Sequence, residues 1–340
     1  MKERITLKDI AKLSGTSIST VSRVLNGDDS KAARPEVKDR IWKIANKYHY
    51  TPNVSAQNLK KDSSSKKKSY TFGIIFARAD DTSGNPFFMK LSRTIEKEII
   101  FRGDKVGFTC SSDALRTVDA AKFFKAHTVD GVIILGKFSD WFYPKIKNHV
   151  KNYIYVGLNK MIFRDLDQVI VDGYSAAITS VTYLYDLGYR NIMYVGETSG
   201  EQRYKGYVEA MNHFLGDKFN QSNTIKCNFS IANSYQAVKE KYDPKFNAIF
   251  CGDDVAGIGT LQALQELNYK IPDDVSVISI DNIDLIQSYT PLLTTVNIPI
   301  DEMGRMAIRL ILERINNERH VSTIVEFPYE IIERETTKKL

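Results

Sequence analysis

The sequence predicts a small all-α helix-turn-helix domain followed by a two-lobed α/β body of doubly wound parallel sheets. Residues 1–50 contain short amphipathic helical patterns separated by turns. Beyond a polar linker at residues 60–68, apolar β-runs alternate with longer helical patterns, which is typical of βα units on parallel sheets. These β-runs outnumber the strands of one compact doubly wound sheet, so we expect two consecutive sheets.

The N-terminal helices carry their own start and stop signals. Thr6 stands three residues before an acid, as in a capping box, and opens the first helix. Gly15 provides the permissive backbone of a tight turn, and Ser17 can cap the second helix. Pro35 suits the first position of a third helix. Two short helices joined at a glycine turn indicate a helix-turn-helix.

Positive charge is concentrated at the N-terminal end. Residues 1–68 hold 16 Lys+Arg and 7 Asp+Glu, a balance of +9, whereas the whole chain carries +6, so the rest carries −3. This distribution is typical of a DNA-binding head on a sensor body, although a solvated charged face gives the same excess. No apolar run is long enough to span a membrane and no signal segment is recognisable, so we expect a cytoplasmic protein, associated with the nucleoid.

Few motifs suggest catalysis. Cys110, Cys227 and Cys251 are far apart in apolar runs, so we interpret them as buried thiols rather than disulfide partners or metal ligands. The five histidines form no cluster in the sequence, and Gly257 and Gly259 lack the rest of a dinucleotide fingerprint. We therefore expect no enzyme activity, no cofactor and no metal.

The second helix presents a face that suits DNA. Its valines point toward the shared core, which leaves Ile18, Ser19, Ser22 and Arg23 exposed. Short polar side chains and one arginine can approach base edges and phosphates in a major groove. An ordinary helical hairpin is the alternative interpretation.

Residues 6–11 and 17–26 closely resemble the lactose/galactose repressor family, and the resemblance continues from residues 50–53 to residues 332–337, over nearly the whole chain. It implies a periplasmic-binding-protein-like body and a homodimeric, allosteric repressor on a pseudopalindromic double-stranded operator. The chain end shows no leucine heptads, so we expect no tetramer.

The resemblance also suggests the domain boundaries. We expect residues 1–50 to form the helix-turn-helix, residues 51–70 the hinge helix and linker, and residues 71–340 the body. Within the body, we expect lobe one at about 71–171 and 297–321 and lobe two at about 172–296 and 322–340.

The resemblance also implies which residues contact DNA. The positions of Ile18 and Ser19 read bases in the family, and residues 53–60 resemble its hinge helix. There an alanine and a leucine pack at the dimer axis, and the leucine wedges into the minor groove to kink the duplex. A linker residue without a partner is the alternative for Leu59. The expected DNA-binding residues are Thr6, Ser17, Ile18, Ser19, Thr20, Ser22, Arg23, Asn26, Asn53, Ala56, Leu59 and Lys60.

Side chains at strand ends predict an effector cleft between the lobes. Aromatic rings after the first strand can pack on sugars as well as on purines. Arg203 resembles the family's ligand-anchoring arginine, and its donors suit a diol or a carboxylate. A core role for Phe88, and a salt bridge or helix cap for any single acid, are the alternatives. The expected effector-binding residues are Phe87, Phe88, Asn159, Arg203, Asp253 and Asp281.

An arginine beside several acids and aromatic rings favours a neutral polyol over an anionic ligand. We therefore expect a sugar effector that releases the repressor of a sugar-utilisation operon, and residues 26–29 and 187–192 resemble galactose and β-galactoside regulators. A purine or a phosphocarrier protein as corepressor stays open. A sugar-binding transport protein is less favoured, because it would need a signal peptide and would have no helix-turn-helix.

Overall fold

The computed structural model describes residues 6–25, 33–48, 68–77, 84–216, 219–220 and 223–340. The chain divides into two units, Met1–Lys68 and Ser69–Leu340. The first is the predicted helical domain, and the second is the predicted α/β body.

Three helices form the described part of the first unit: α1 (Leu7–Ser14), α2 (Ile18–Leu25) and α3 (Pro35–Lys47). Thr6 caps α1 in a full capping box with Asp9, and Gly15 ends the helix in the left-handed conformation with φ 65°. Ile10, Val21 and Ile41, one from each helix, are fully buried and form the centre of a small core. The predicted helix-turn-helix is confirmed.

The second unit contains two six-stranded sheets, each with its own helices, which we call lobe one and lobe two. The strands of lobe one are all parallel, in the order β11-β5-β4-β3-β1-β2. Its elements are β1 (Thr71–Phe76), α4 (Pro86–Phe101), β2 (Lys105–Ser111), α5 (Ala114–Thr117), α6 (Ala120–Ala126), β3 (Gly131–Leu135), α7 (Phe142–Lys147), β4 (Tyr153–Gly157), β5 (Asp167–Ile170), α12 (Ile300–Ile315) and β11 (Ile324–Glu326).

Lobe two has the strand order β12-β10-β9-β8-β6-β7, in which only the short edge strand β12 is antiparallel. Its elements are α8 (Gly173–Asp186), β6 (Ile192–Gly196), α9 (Gln202–Leu215), β7 (Thr224–Lys226), α10 (Ile231–Lys241), β8 (Ala248–Cys251), α11 (Asp254–Glu266), β9 (Ser276–Asp281), a 3-10 helix (Asp284–Ser288), β10 (Thr294–Asn297) and β12 (Glu330–Ile332).

Continuous burial explains the parallel sheets. Every residue of β3 and of β9 is buried, as expected for strands covered by helices on both faces. In lobe one, α12 lies close against α4, since a Cβ on Gly304 would stand 2.7 Å from Thr94 Cγ2. The predicted class, an α/β body of doubly wound parallel sheets, is therefore confirmed.

One predicted boundary differs from the structure. We expected lobe two to resume at about residue 322, but β11 pairs in parallel with β5 and therefore belongs to lobe one. The chain returns to lobe two only at β12, which pairs with β10. The reason is that a three-residue strand is too short to show its sheet by pattern alone.

The cysteines are free thiols, of which Cys251 is buried and Cys110 and Cys227 are half-buried. The prediction of buried thiols therefore holds fully for Cys251 only. Burial raises the pKa of the Cys110 thiol to about 11. In the described part of the chain, no helix is long and apolar enough to cross a membrane.

Candidate functional site

The first candidate site is the exposed face of α2. Ile18 is 47% exposed and Ser19 is exposed, whereas Val21 and Val24 are buried against the other helices. The exposed residues of α2 therefore lie on the side of the helix that faces away from the small core.

Local hydrogen bonds order this face. The Ser17 hydroxyl accepts from the Thr20 amide at 3.1 Å and lies 2.7 Å from the Ser19 hydroxyl, so Ser17 caps α2 as predicted. Arg23 Nε donates to the Ser19 carbonyl at 3.2 Å, which holds the guanidinium along the same face. Ser22 is half-buried beside it. The remaining expected DNA contacts, Asn26, Asn53, Ala56, Leu59 and Lys60, lie outside the described residues.

The second candidate site is a cleft in the body between lobe one and lobe two, with a cavity volume of about 20 Å³. It lies where strands β4, β8 and β9 end, as predicted from the carboxyl ends of parallel strands. All six expected effector residues line it, together with three that we did not predict. The lining residues are Asn85, Phe87, Phe88, Lys137, Leu158, Asn159, Arg203, Asp253 and Asp281.

The aromatic wall of the cleft comes from the first turn of α4. Asn85 caps this helix by accepting from the Phe87 amide at 3.0 Å, which directs both rings toward the strand ends. Phe87 and Phe88 are in edge-to-face contact, with ring centroids 5.0 Å apart. Both line the cleft, but both are buried, so most of each ring belongs to the core.

Arg203 is the central cation of the cleft, and it is 4% exposed. The Glu201 carboxylate accepts from its Nε at 2.8 Å and from its Nη2 at 3.2 Å, and the Gly252 carbonyl accepts from Nη1 at 2.8 Å. The guanidinium also lies over the Phe229 ring, 4.4 Å from its centroid. Of its five N–H donors, these bonds use three and leave two for a ligand.

Sequence reasoning missed Glu201, although its position was informative. It is buried and caps α9 by accepting from the Arg203 amide at 3.1 Å. An acid at the start of a helix, two residues before a buried arginine, can form this bidentate pair. Because of this pair, the Glu201 carboxylate largely neutralises the charge of Arg203 before any ligand binds.

The acids of lobe two near the cleft differ in the hydrogen bonds that their carboxylates accept. Asp253 caps α11 by accepting from the Ala256 amide at 2.8 Å, which was the alternative interpretation for a single acid. Asp254, which does not line the cleft, is fully buried and accepts from the Ser279 and Thr295 hydroxyls at 2.5 and 2.6 Å. Burial raises the pKa of Asp254 to about 6.

Asp281 lines the cleft with a carboxylate oxygen that has no hydrogen-bond partner. It ends β9, is 4% exposed and has a φ of 131°, a strained backbone conformation for a non-glycine residue. Its Oδ1 is buried without a hydrogen-bond partner, and so is Oδ1 of Asn159 on the opposite side of the cleft. Burial raises the pKa of Asp281 well above its ordinary value. Two unpaired acceptors thus line the same cleft.

Lys137 is the second residue that sequence reasoning missed. It follows β3 in lobe one, and its Nζ donates to the Gly200 carbonyl of lobe two at 2.6 Å. Lys137 lies just beyond a strand end, where the sequence analysis predicts acids and aromatic rings but no lysine. The ammonium group of Lys137, in lobe one, therefore bridges the cleft to lobe two.

A helix-turn-helix joined to a two-lobed body with a polar cleft at its strand ends defines the class of effector-controlled DNA-binding proteins. Residues 6–53 match the model of bacterial regulatory proteins of the lacI family, and residues 181–337 match that of a periplasmic binding protein-like domain. The chain belongs to the lacI family of bacterial regulatory proteins and is a DNA-binding transcription regulator, as the sequence analysis predicted.

The relatives extend over the full length of the chain. The transcriptional regulator DegA of Bacillus subtilis (strain 168) is 30% identical over 99% of this chain and 99% of its own. The NTD biosynthesis operon regulator NtdR of the same organism is 29% identical over 98% of this chain and 99% of its own. A solved LacI family regulator from Enterococcus faecium, with bound ribose, is 25% identical with a TM-score of 0.68, covering 79% of this chain and 99% of that one.

Proposed function

We propose that this regulator represses a sugar-utilisation operon and that a small neutral sugar binds in the cleft between its lobes. The single observation that carries the proposal is the pair of buried, unpaired oxygens, Asp281 Oδ1 and Asn159 Oδ1. A buried acceptor without a donor costs free energy, and hydroxyl groups of a ligand would relieve that cost on both sides of the cleft.

The charge of the cleft supports a neutral ligand. Glu201 pairs with both ends of the Arg203 guanidinium, and Asp253 and Asp281 add further acids. Lys137 and Arg203 thus bring two positive charges to the cleft against three acids, so an anionic effector would meet no excess of positive charge. The two remaining Arg203 donors suit the oxygens of a sugar, and Phe87 and Phe88 give one wall of the cleft an apolar surface. The ribose bound by the Enterococcus faecium relative is consistent with this chemistry.

For the DNA, we propose that the protein binds its operator as a homodimer and that the exposed face of α2 from each subunit contacts one half-site. Ile18 and Ser19 would contact bases, and Arg23 and Ser22 would contact phosphates or base edges. Ser17 and Thr20 bond to each other at the start of α2, and Thr6 caps α1, so we assign these three to holding the helices against the phosphate backbone. We further propose a cytoplasmic, nucleoid-associated protein that binds its ligand without catalysis.

A thermal-shift screen of the full chain tests the sugar. Mono- and disaccharides, including galactose and β-galactosides, are compared with purine bases. A ligand at 100 times its Kd stabilises the folded state by about 2.7 kcal/mol, which is readily measured. We expect a sugar to raise the transition temperature and Arg203→Ala to abolish that rise while operator binding persists. A rise with purines alone would refute the sugar proposal.

The matched control is Lys205→Ala, an exposed position on the same helix. It should keep the full ligand-induced rise. Loss of operator binding in Arg203→Ala, with normal operator binding in Lys205→Ala, would instead assign Arg203 to folding of the body.

A further inference from the structure

We propose that Lys137 couples effector binding to closure of the two lobes, because its ammonium group both lines the effector cleft and bonds to the opposite lobe. The inference rests on the proposed function, since it concerns the same cleft. It adds a positioning residue that acts between the lobes rather than within one of them.

The turn just after β3 allows Lys137 to reach across the cleft. Gly136 has a φ of 83°, and a Cβ at this position would stand 3.0 Å from the Phe88 ring, so a glycine is required there. The turn directs the half-buried Lys137 side chain from the end of β3 toward lobe two, where Nζ meets the Gly200 carbonyl at 2.6 Å. This is a charge-assisted hydrogen bond.

The acceptor of this bond, the Gly200 carbonyl, also belongs to a residue with a particular backbone conformation. Gly200 has a φ of 62°, and a Cβ there would stand 2.6 Å from Lys137 Nζ. A side chain at this position would therefore strain the left-handed backbone, and the flexible end of Lys137 would have to shift to make room for it. The geometry of the bond thus depends on glycine at residue 200 as well as on lysine at residue 137.

The segment that carries this acceptor also carries the effector anchor. Gly200 directly precedes Glu201, whose carboxylate binds the amide and the guanidinium of Arg203. Residues 200–203 are therefore linked by hydrogen bonds at the start of α9, and we expect them to move together. When Lys137 holds Gly200, it also fixes Arg203 opposite the aromatic wall of lobe one. A ligand that bonds to Arg203 and meets Lys137 is held by both lobes at once.

A second bridge between the lobes provides a matched control. Lys90 of α4 donates to Asp284 at 2.8 Å, and Asp284 is 82% exposed on its side chain. Exposed ion pairs of this kind contribute little. Lys90 also does not line the effector cleft. It is thus the same residue type, bridging the same two lobes, without contact with the proposed effector.

The experiment compares full-length wild type with Lys137→Met, Lys137→Arg, Gly200→Ala and Lys90→Met. Sugar affinity is measured by titration calorimetry with the sugar that stabilises the wild type. Closure is measured without ligand, as amide hydrogen exchange of residues 197–204, with residues 254–266 as internal reference.

We expect Lys137→Met and Gly200→Ala to accelerate exchange at residues 197–204 at least threefold and to weaken sugar binding at least tenfold. Lys137→Arg should stay within threefold of wild-type affinity, and Lys90→Met should stay within twofold in both measurements. Unchanged exchange in Lys137→Met would overturn the proposal, even if affinity fell, because the lysine would then be a ligand contact only. Equal effects from Lys90→Met would also overturn it.

If the wild type binds no sugar, the proposed function fails, while the exchange comparison still decides whether Lys137 holds the lobes together. The two failures are therefore distinguishable.

Discussion

Replacing Asp281 by Asn should stabilise the effector-free protein and weaken effector binding at the same time. The Asp281 carboxyl is 4% exposed, and its Oδ1 has no hydrogen-bond partner. Leaving a buried polar group unsatisfied costs about 1–3 kcal/mol, and more when the group is charged. A neutral amide of the same shape avoids the charge. We therefore expect a gain of about 1–3 kcal/mol in the free energy of unfolding at pH 8, or roughly 2–12 °C in Tm for a body of this size.

The gain should depend on pH. Burial raises the pKa of Asp281 in the folded protein above its value in the unfolded chain. In acid both states are protonated, so the aspartate has no penalty below about pH 4. As pH rises from there toward the raised pKa, the unfolded chain loses its proton first, and wild type loses stability relative to the variant. Urea unfolding at pH 4.5 and at pH 8 measures the difference.

Effector binding should change in the opposite direction. The amide that replaces the carboxylate still offers an acceptor oxygen, but without charge. Hydrogen bonds to charged groups contribute about 1.5–3 kcal/mol and neutral ones about 0.5–1.5 kcal/mol, so a loss of about 1–1.5 kcal/mol should weaken sugar binding roughly 5- to 10-fold. The reasoning is refuted if Asp281→Asn is less stable than wild type at pH 8, or if its gain is equal at both pH values. Unchanged sugar affinity would remove Asp281 from the binding site.

Three further predictions follow from other parts of the molecule. Arg23→Ala should weaken operator binding about tenfold and, if it holds a phosphate, lower the salt slope by about 1, as measured by fluorescence anisotropy at several salt concentrations; unchanged affinity would exclude it from the interface. Gly206→Ala should destabilise the body by at least about 2 kcal/mol in urea unfolding, because its Cβ would stand 2.2 Å from the Tyr174 carbonyl oxygen; unchanged stability would contradict the close packing of α8 and α9. Asp167→Asn should cost about 3 kcal/mol, since this buried carboxylate holds two partly exposed arginines, and a loss under 1 kcal/mol would contradict a structural role.

The helix-turn-helix was predictable because its signals are local. The capping box at Thr6, the left-handed Gly15 and the serine cap at Ser17 each act within one turn of helix. The expected cleft residues were predictable for a different reason: carboxyl ends of parallel strands meet at one edge, so strand ends distant in sequence meet in space. The resemblance to a known family then singled out Arg203 among the candidates.

Glu201 and Lys137 were not predictable in the same way, because their roles depend on partners brought by tertiary packing. Nothing local to Lys137 shows that a carbonyl of the other lobe lies 2.6 Å away. The same applies to the sheet of β11: the sequence predicts a β-run at residues 323–327, but only the pairing with β5 assigns that strand to lobe one. Interactions between segments far apart in sequence leave little periodic pattern to read.

Ser69 and Tyr70, the residues just before β1, bond to lobe one. Ser69 Oγ donates to the Gly103 carbonyl at 2.9 Å, and the Tyr70 amide donates to the Asp104 carboxylate at 2.9 Å. The Tyr70 hydroxyl bonds to Asn316, which follows α12. All of these partners belong to lobe one, so the described residues that precede β1 are bonded to lobe one. We expect an effector held by Arg203 of lobe two to act on this segment through lobe one, by favouring the approach of the two lobes that a bond between Lys137 and Gly200 would also favour.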